Sequence, residues 1–217
     1  MKEKLRKVRE PLAITNKAAS VRNTVLIGIF GLAMGFIAKW LDGLPYGSDI
    51  WWRKLIDRLD LGNVLSCLPV WILIALIISV YSFTPLKAAV NTFVFFAGMC
   101  LAYHVYTIFF CGFDPGSYMM IWYGLTLVSP LLAVICWYGK GPTLVSSAIS
   151  ALIFAFLTQG CFSVGWLYFG LTSAVNTVIF IAAAVVMYRT TKQIVSGIAA
   201  GAVLALLMSR FVNLGAY

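Results

Sequence analysis

Charge is scarce in this chain. Asp, Glu, Lys and Arg make up 11% of 217 residues, against about 25% in a soluble domain that must cover itself with solvated groups. That shortage excludes a water-exposed globule, and no hydrophilic stretch is long enough for a separate soluble domain. Histidine is rarer still: His104 stands alone, which excludes a histidine-based metal cluster. Acidic residues number seven, and none falls in the middle of an apolar run, which argues against a carboxylate-based proton or cation pathway and against aspartyl proteolysis. The five cysteines lack C-x-x-C spacing. H-E-x-x-H, G-x-S-x-G and P-loop patterns are also missing, so the sequence points to a protein that is not an enzyme and needs no cofactor.

What is present in quantity is apolar surface: 62% hydrophobic residues and a mean hydropathy of +0.95. In hydrocarbon a backbone survives only as helices or as a closed barrel. The apolar runs are about 18–25 residues long rather than short alternating stretches, which selects helices. The expected fold is all-α, a polytopic transmembrane bundle. A basic N-terminal segment, 1–22, precedes one membrane domain, 23–213, with seven spans near 24–41, 63–82, 87–111, 118–138, 142–160, 167–188 and 193–211. Thr84-Pro85 reads as an N-cap followed by a first-turn proline, Asp114-Pro115-Gly116-Ser117 as a turn, and Lys140-Gly141-Pro142-Thr143 as a stop and a start. The block 142–188 would make a helix of about 70 Å, more than twice a bilayer core of about 30 Å, so it is divided near Gly160–Trp166. The first run ends at Ala38-Lys39-Trp40-Leu41-Asp42 without a small-x-small cleavage pattern and is read as a retained span.

Basic residues set the orientation. Lys2, Lys4, Arg6, Lys7, Arg9, Lys17 and Arg22 precede the first span, and Lys87, Lys140, Arg189 and Lys192 share that side in a seven-span count. The other side holds five basic residues and all five aspartates, so the N-terminus is expected in the cytoplasm and the C-terminus outside. The basic N-terminal cluster, with no aromatic residues or binding fold beside it, reads as a topology signal attracted to lipid headgroups and not as a nucleic-acid site. In the first external loop, Trp52, Leu55, Ile56 and Leu59 recur at helical spacing, with Ser48 or Asp49 as a cap. This predicts a short amphipathic helix lying in the outer interface, where it anchors or covers the bundle.

Two stripes of small residues predict close helix–helix approach: Gly28, Gly31, Gly35 and Ala38 in the first span, and Gly197, Gly201, Ala205 and Ser209 in the last. Either they pack within the chain or they receive a partner subunit. Aromatic residues, including Trp40, Tyr46, Trp51, Trp52, Tyr103, Tyr106, Trp122, Tyr123, Trp166 and Tyr168, crowd the outer half. An interfacial belt accounts for many of them, and an outward-opening cavity for the excess. The expected lining of such a cavity is Lys39, Asp42, Tyr103, His104, Tyr106, Trp122 and Gln159, taking a small amphipathic or aromatic ligand. The alternative for Gln159, and the commoner outcome for such a residue, is to tie helices together. Cys111 and Cys161 fall at outer span ends, where a disulfide could join them; the alternative is ordinary small apolar packing.

The stretch Trp71-Ile72-Leu73-Ile74 … Ser79-Val80-Tyr81-Ser82-Phe83-Thr84-Pro85-Leu86-Lys87-Ala88-Ala89-Val90-Asn91 … Phe95-Phe96-Ala97-Gly98-Met99 resembles a family of small multi-pass membrane proteins from clostridial-type bacteria, to which no activity is assigned. Gly35 … Lys39 … Asp42 and Ser129-Pro130 … Trp137-Tyr138 look similar as well. The resemblance covers nearly the whole chain and implies a bacterial inner-membrane location, with no site to carry over. The Gly28–Ala38 stripe also resembles that of the substrate-binding subunits of energy-coupling-factor vitamin importers, which implies a membrane or ATPase partner. Those subunits have six spans, against the seven counted here. Two functional readings follow. One is a small-molecule-binding or transporter-type component with an outward-facing aromatic cavity. The other is an interaction or regulatory subunit working through its glycine seams.

Overall fold

Helices begin where a side chain can supply the hydrogen bond that their first N–H groups lack. In the computed structural model, which describes residues 6–13, 16–45, 47 and 49–209, this rule places most of the boundaries. Asn16 accepts from Ala19 N at 3.0 Å and opens α1, Lys17–Asp42. Two short helices follow, α2 (Trp51–Leu59) and α3 (Leu61–Ser66), with Asp60 between them in the left-handed region at φ 52°. A bend at Cys67, just ahead of Pro69, separates α3 from α4, Leu68–Tyr81. Thr84 accepts from Lys87 N at 3.1 Å and opens α5, Pro85–Tyr106, with Pro85 in the first turn as expected. A π-helical turn, Thr107–Cys111, extends α5 and stops at Gly112, whose φ of 74° suits a residue without Cβ.

Then come α6 (Gly116–Gly139), α7 (Leu144–Cys161, capped by Thr143), α8 (Ala174–Met187, capped by Ser173) and α9 (Thr191–Met208, capped by Thr190). Pro130 inside α6 deprives the Thr126 carbonyl of its helical donor, and Ser129 Oγ donates to that oxygen instead at 2.8 Å.

Five of these elements are long and apolar enough to cross a membrane: Lys17–Asp42, Pro85–Cys111, Gly116–Gly139, Leu144–Cys161 and Thr191–Met208. Leu127, Leu131, Val178 and Val185 are more than half exposed on their helices, an arrangement that water would penalise and lipid does not. The chain is a helical, multi-pass membrane protein. Two apolar helices, Leu68–Tyr81 and Ala174–Met187, have 14 residues each, about 21 Å long, short of the hydrocarbon core.

The structure departs from the expected spans at two places: the second span, 63–82, is broken by the bend at Cys67, and the sixth, 167–188, becomes helical only at Ala174. Residues 167–173, read as the start of the sixth helix, include the second strand of a ribbon: β1 (Phe162–Val164) pairs antiparallel with β2 (Phe169–Leu171), Ser163 opposite Gly170. Gly165 N donates to Tyr168 O at 2.9 Å and closes the turn. Periodicity cannot separate strand from helix in a continuous apolar run, so the break was found but not its form. The ribbon is the exception to an all-α fold. Of the two proposed caps of α2, Ser48 lies outside the described residues, and Asp49 pairs with Lys54 at 3.1 Å while Ile50 holds the cap position without a side-chain bond. Tyr46, the first five residues and everything after Ser209, including the end of the last expected span, also lie outside the described residues.

Internal contacts divide the chain into two units. The first comprises residues 12–66 and 82–134. Its spine is α1 against α5. A Cβ on Gly31 would strike the Phe95 carbonyl oxygen, one on Gly35 the Met99 carbonyl oxygen, and one on Gly98 would lie 2.8 Å from Gly28 O. Phe30 and Phe95 pack beside this seam at 5.6 Å. At its far end, Thr24 Oγ1 donates to Asn91 Oδ1 at 2.7 Å, and Asn91 Nδ2 donates to Ser82 Oγ at 3.2 Å.

The second unit comprises residues 1–11, 67–81 and 135–217. Leu76, Val80, Phe154, Leu157, Ala183 and Met187 form its core. Against α7, a Cβ on Gly201 would sit 2.6 Å from the Phe154 Cβ and 2.9 Å from Ala151 O. Cationic side chains close its helix C-termini. Arg9 donates to Trp137 O at 2.6 Å and to Val80 O at 2.9 Å, with its guanidinium 4.3 Å from the Trp137 ring centroid, and Lys140 Nζ donates to Val186 O at 2.6 Å. Glycines of both small-residue stripes therefore lie against other helices of the same chain.

Candidate functional site

Within the first unit, the C-terminal end of α1 meets the end of α5 and the start of α6 around a cavity of about 580 Å3. Its lining is Lys39 and Asp42 from α1, Ser66 from the end of α3, Tyr103 from α5, and Phe113, Asp114, Pro115, Ser117 and Tyr118 from the turn into α6. Local structure explains how these side chains come together. Lys39 and Asp42 are one helical turn apart and therefore on one face. The π-helical turn and Gly112 reverse the chain at the end of α5, so Phe113 and Asp114 return toward Tyr103; wide turns of this kind recur at functional sites. Asp114 Oδ1 then accepts from Gly116 N at 2.9 Å, which fixes the carboxylate at the start of α6.

Lys39 is the site's most constrained group. Only 8% of it is exposed, and its ammonium donates to Asp42 Oδ2 at 2.7 Å. The same nitrogen stands 5.3 Å from the Tyr103 ring centroid and 5.5 Å from that of Phe113, within cation–π range. Burying an ammonium is costly unless it is paired, and here a carboxylate and two aromatic faces provide the pairing. The side chain of Asp42 is 41% exposed and that of Asp114 72%, so negative charge lies toward the opening and positive charge deeper in.

The expected lining is realised in part. Lys39, Asp42 and Tyr103 come together. His104 stands behind the wall: Tyr123 Oη lies 2.6 Å from its Nδ1, and its Nε2 is 3.8 Å from Asp114 Oδ1. Trp122 is 8% exposed, with its ring 6.4 Å from that of Tyr118, and supports the wall without lining it. Tyr106 departs from expectation. Although it shares a helix face with Tyr103 at i+3, its ring stacks on Phe110 at 4.8 Å and takes an edge contact with Phe36 at 4.9 Å, and it does not line the cavity. Gln159 departs further. It belongs to the second unit, where Nε2 donates to Ala205 O at 2.5 Å, the helix-tying role that was its alternative.

The bond between Cys111 and Cys161 is not formed. Neither is in a disulfide: Cys161 is fully buried in the second unit and Cys111 is exposed at the end of the π-helical turn of the first. Ser66, Phe113, Asp114, Ser117 and Tyr118 were not expected in the site. The turn Asp114–Ser117 was visible as turn chemistry, and its position at the same outer end as Lys39 and Tyr103 was the available signal. Among the described residues, no three His, Cys, Asp or Glu side chains gather as a metal ion would require.

No protein-family model, curated protein or solved structure matches the chain.

Proposed function

We propose that this protein is a seven-span membrane protein, N-terminus in the cytoplasm and C-terminus outside, that binds a small molecule in the cavity around Lys39, as a binding or transporter-type component and not as an enzyme. The observation that carries the binding reading is Lys39 itself: a nearly buried ammonium against one carboxylate and two aromatic faces, in a cavity of about 580 Å3, a volume typical of small-molecule sites. His104 has its Nδ1 hydrogen-bonded to Tyr123 and is not among the residues that line the cavity, which favours recognition over catalysis.

Helix ends support the topology. Arg9 reaches the C-terminal carbonyls of α4 and α6, and Lys140 that of α8, so the N-terminal segment and three helix C-termini share one end of the second unit. Counting α4 and α8 as spans, despite their length, reproduces this parity, and the basic residues mark that end as cytoplasmic. The cavity, at the C-terminal end of α1, then opens outside. The helix Trp51–Leu59 lies in the outer interface in this reading: Trp51, Leu55 and Leu59 present an exposed apolar stripe, while Trp52 stacks on Trp40 at 6.2 Å. The contacts of α5 with the Gly31–Gly35 stripe and of α7 with Gly201 favour the binding reading over the partner-subunit one.

Native mass spectrometry of the protein purified in mild detergent tests the binding reading. A small molecule should travel with the wild type and be lost from Tyr103→Ala and from Ser66→Trp, which fills the cavity, at unchanged elution volume. A wild type that comes alone and empty, or a molecule retained by both variants, would overturn it.

A further inference from the structure

We infer that the ligand of this cavity is an organic monocation, a protonated amine or quaternary ammonium on a small apolar body; the inference rests on the binding reading above. The lining contains one lysine and two aspartates, so one carboxylate has no cation within the lining itself; behind the wall, His104 Nε2 stands 3.8 Å from Asp114 Oδ1 and balances that charge only when protonated. Asp42 is already engaged by Lys39 at 2.7 Å, which assigns the remaining charge to Asp114. Asp114 Oδ1 takes the Gly116 N–H, and the side chain is 72% exposed. Asp114 shares the lining with Phe113 and Tyr118, and the hydroxyl of Ser117, another lining residue, offers a further acceptor for an N–H donor.

The walls themselves already receive an ammonium. Lys39 Nζ rests within cation–π distance of both Tyr103 and Phe113, and the Tyr118 ring, 6.0 Å from that of Tyr103, continues the aromatic surface toward Asp114. An anion meets the opposite conditions: it must pass two carboxylates near the opening and displace Asp42 from Lys39. A neutral ligand would cover Asp114 without pairing it, and an unpaired carboxylate resists desolvation. A bare metal ion would find only scattered carboxylates and no third ligand of the kind it needs. A cationic head with an apolar body satisfies the charge and the rings together.

The test uses three probes that share a body and differ in the head: 2-phenylethylammonium, 2-phenylethanol and 3-phenylpropanoate. Thermal unfolding of the full chain in lipid nanodiscs is followed by tryptophan fluorescence. The expected result is saturable stabilisation by the cation alone, at least ten-fold weaker in apparent affinity for Asp114→Asn and abolished in Ser66→Trp. Ser66→Trp leaves the α6 cap intact, so a folding defect in Asp114→Asn does not decide the matter. Equal stabilisation by the alcohol or the carboxylate, or a cation effect unchanged in both variants, would overturn the inference. If no probe binds while the co-purified molecule is still lost from Tyr103→Ala, the ligand class is wrong and the binding reading survives. If no probe binds and the protein is empty, both fall.

Discussion

Gly35→Leu is expected to prevent α1 from docking on α5 while leaving insertion into the membrane intact. The position has no room for any side chain: even a Cβ would strike the Met99 carbonyl oxygen, and backbone cannot rotate aside as a flexible side chain can. Lipid supplies no hydrophobic reason for two helices to associate, so van der Waals contact along this seam is what holds them together. Gly35→Ala alone should cost on the order of 1–3 kcal/mol, the usual range for overpacking, and Gly31→Ala a similar amount. The leucine variant should exceed that range and leave no cooperative unfolding transition for the first unit. Gly124→Ala is the control, since nothing lies within 4 Å of a Cβ built there. Thermal unfolding in detergent, alongside membrane fractionation, separates the outcomes. A Gly35→Leu protein as stable as Gly124→Ala would mean that the seam is not closed as described.

Arg9→Ala should be the most damaging change outside the spans. One guanidinium donates to two carbonyls at helix C-termini, Val80 O and Trp137 O, and covers the Trp137 ring. Hydrogen bonds from a charged donor contribute about 1.5–3 kcal/mol each, so the expected loss is roughly 3 kcal/mol once non-additivity is allowed for. Arg9→Lys should recover part of it, because an ammonium can reach one of the carbonyls but lacks the planar fork that spans both. Burial, followed by the charge of Arg189, pulls Arg9 below its ordinary pKa. A guanidinium nevertheless keeps its proton at any ordinary pH, so this clamp should not loosen between acid and neutral conditions. Unfolding of the three proteins at two pH values checks both statements. An Arg9→Ala protein with wild-type stability would remove the clamp.

What could be read from sequence was whatever a residue does to its immediate neighbours. Thr84-Pro85 and the Gly141–Thr143 segment mark helix starts through local hydrogen bonding, and they stand where expected. The glycine stripes were legible as surfaces of close approach because helical spacing fixes which residues share a face. Their partners, α5 for Gly31 and Gly35 and α7 for Gly201, depend on tertiary packing that spacing does not encode. The same division runs through the candidate site. Lys39 and Asp42 could be paired from their spacing, and Tyr103 placed at the same depth. Tyr106 and Gln159 shared that depth too, but depth along the membrane says nothing of what a side chain packs against. The π-helical turn shows the limit most plainly: one extra residue per turn at 107–111 re-aims everything that follows, and Phe113, Asp114 and Tyr118 enter the cavity by that route. The ribbon 162–171 was hidden for another reason, since its apolar strands have the composition of a helix.

Side-selective labelling tests the central claim, a cavity open to the outside, most directly. A membrane-impermeant maleimide would be applied to intact cells expressing single-cysteine variants in a background whose native cysteines are replaced by serine or alanine. Ser117→Cys, exposed and in the cavity lining, should label from outside, and Lys192→Cys, exposed in the first turn of α9, should label only after permeabilisation. Labelling of Lys192→Cys on intact cells with Ser117→Cys protected would contradict the orientation and turn the cavity toward the cytoplasm.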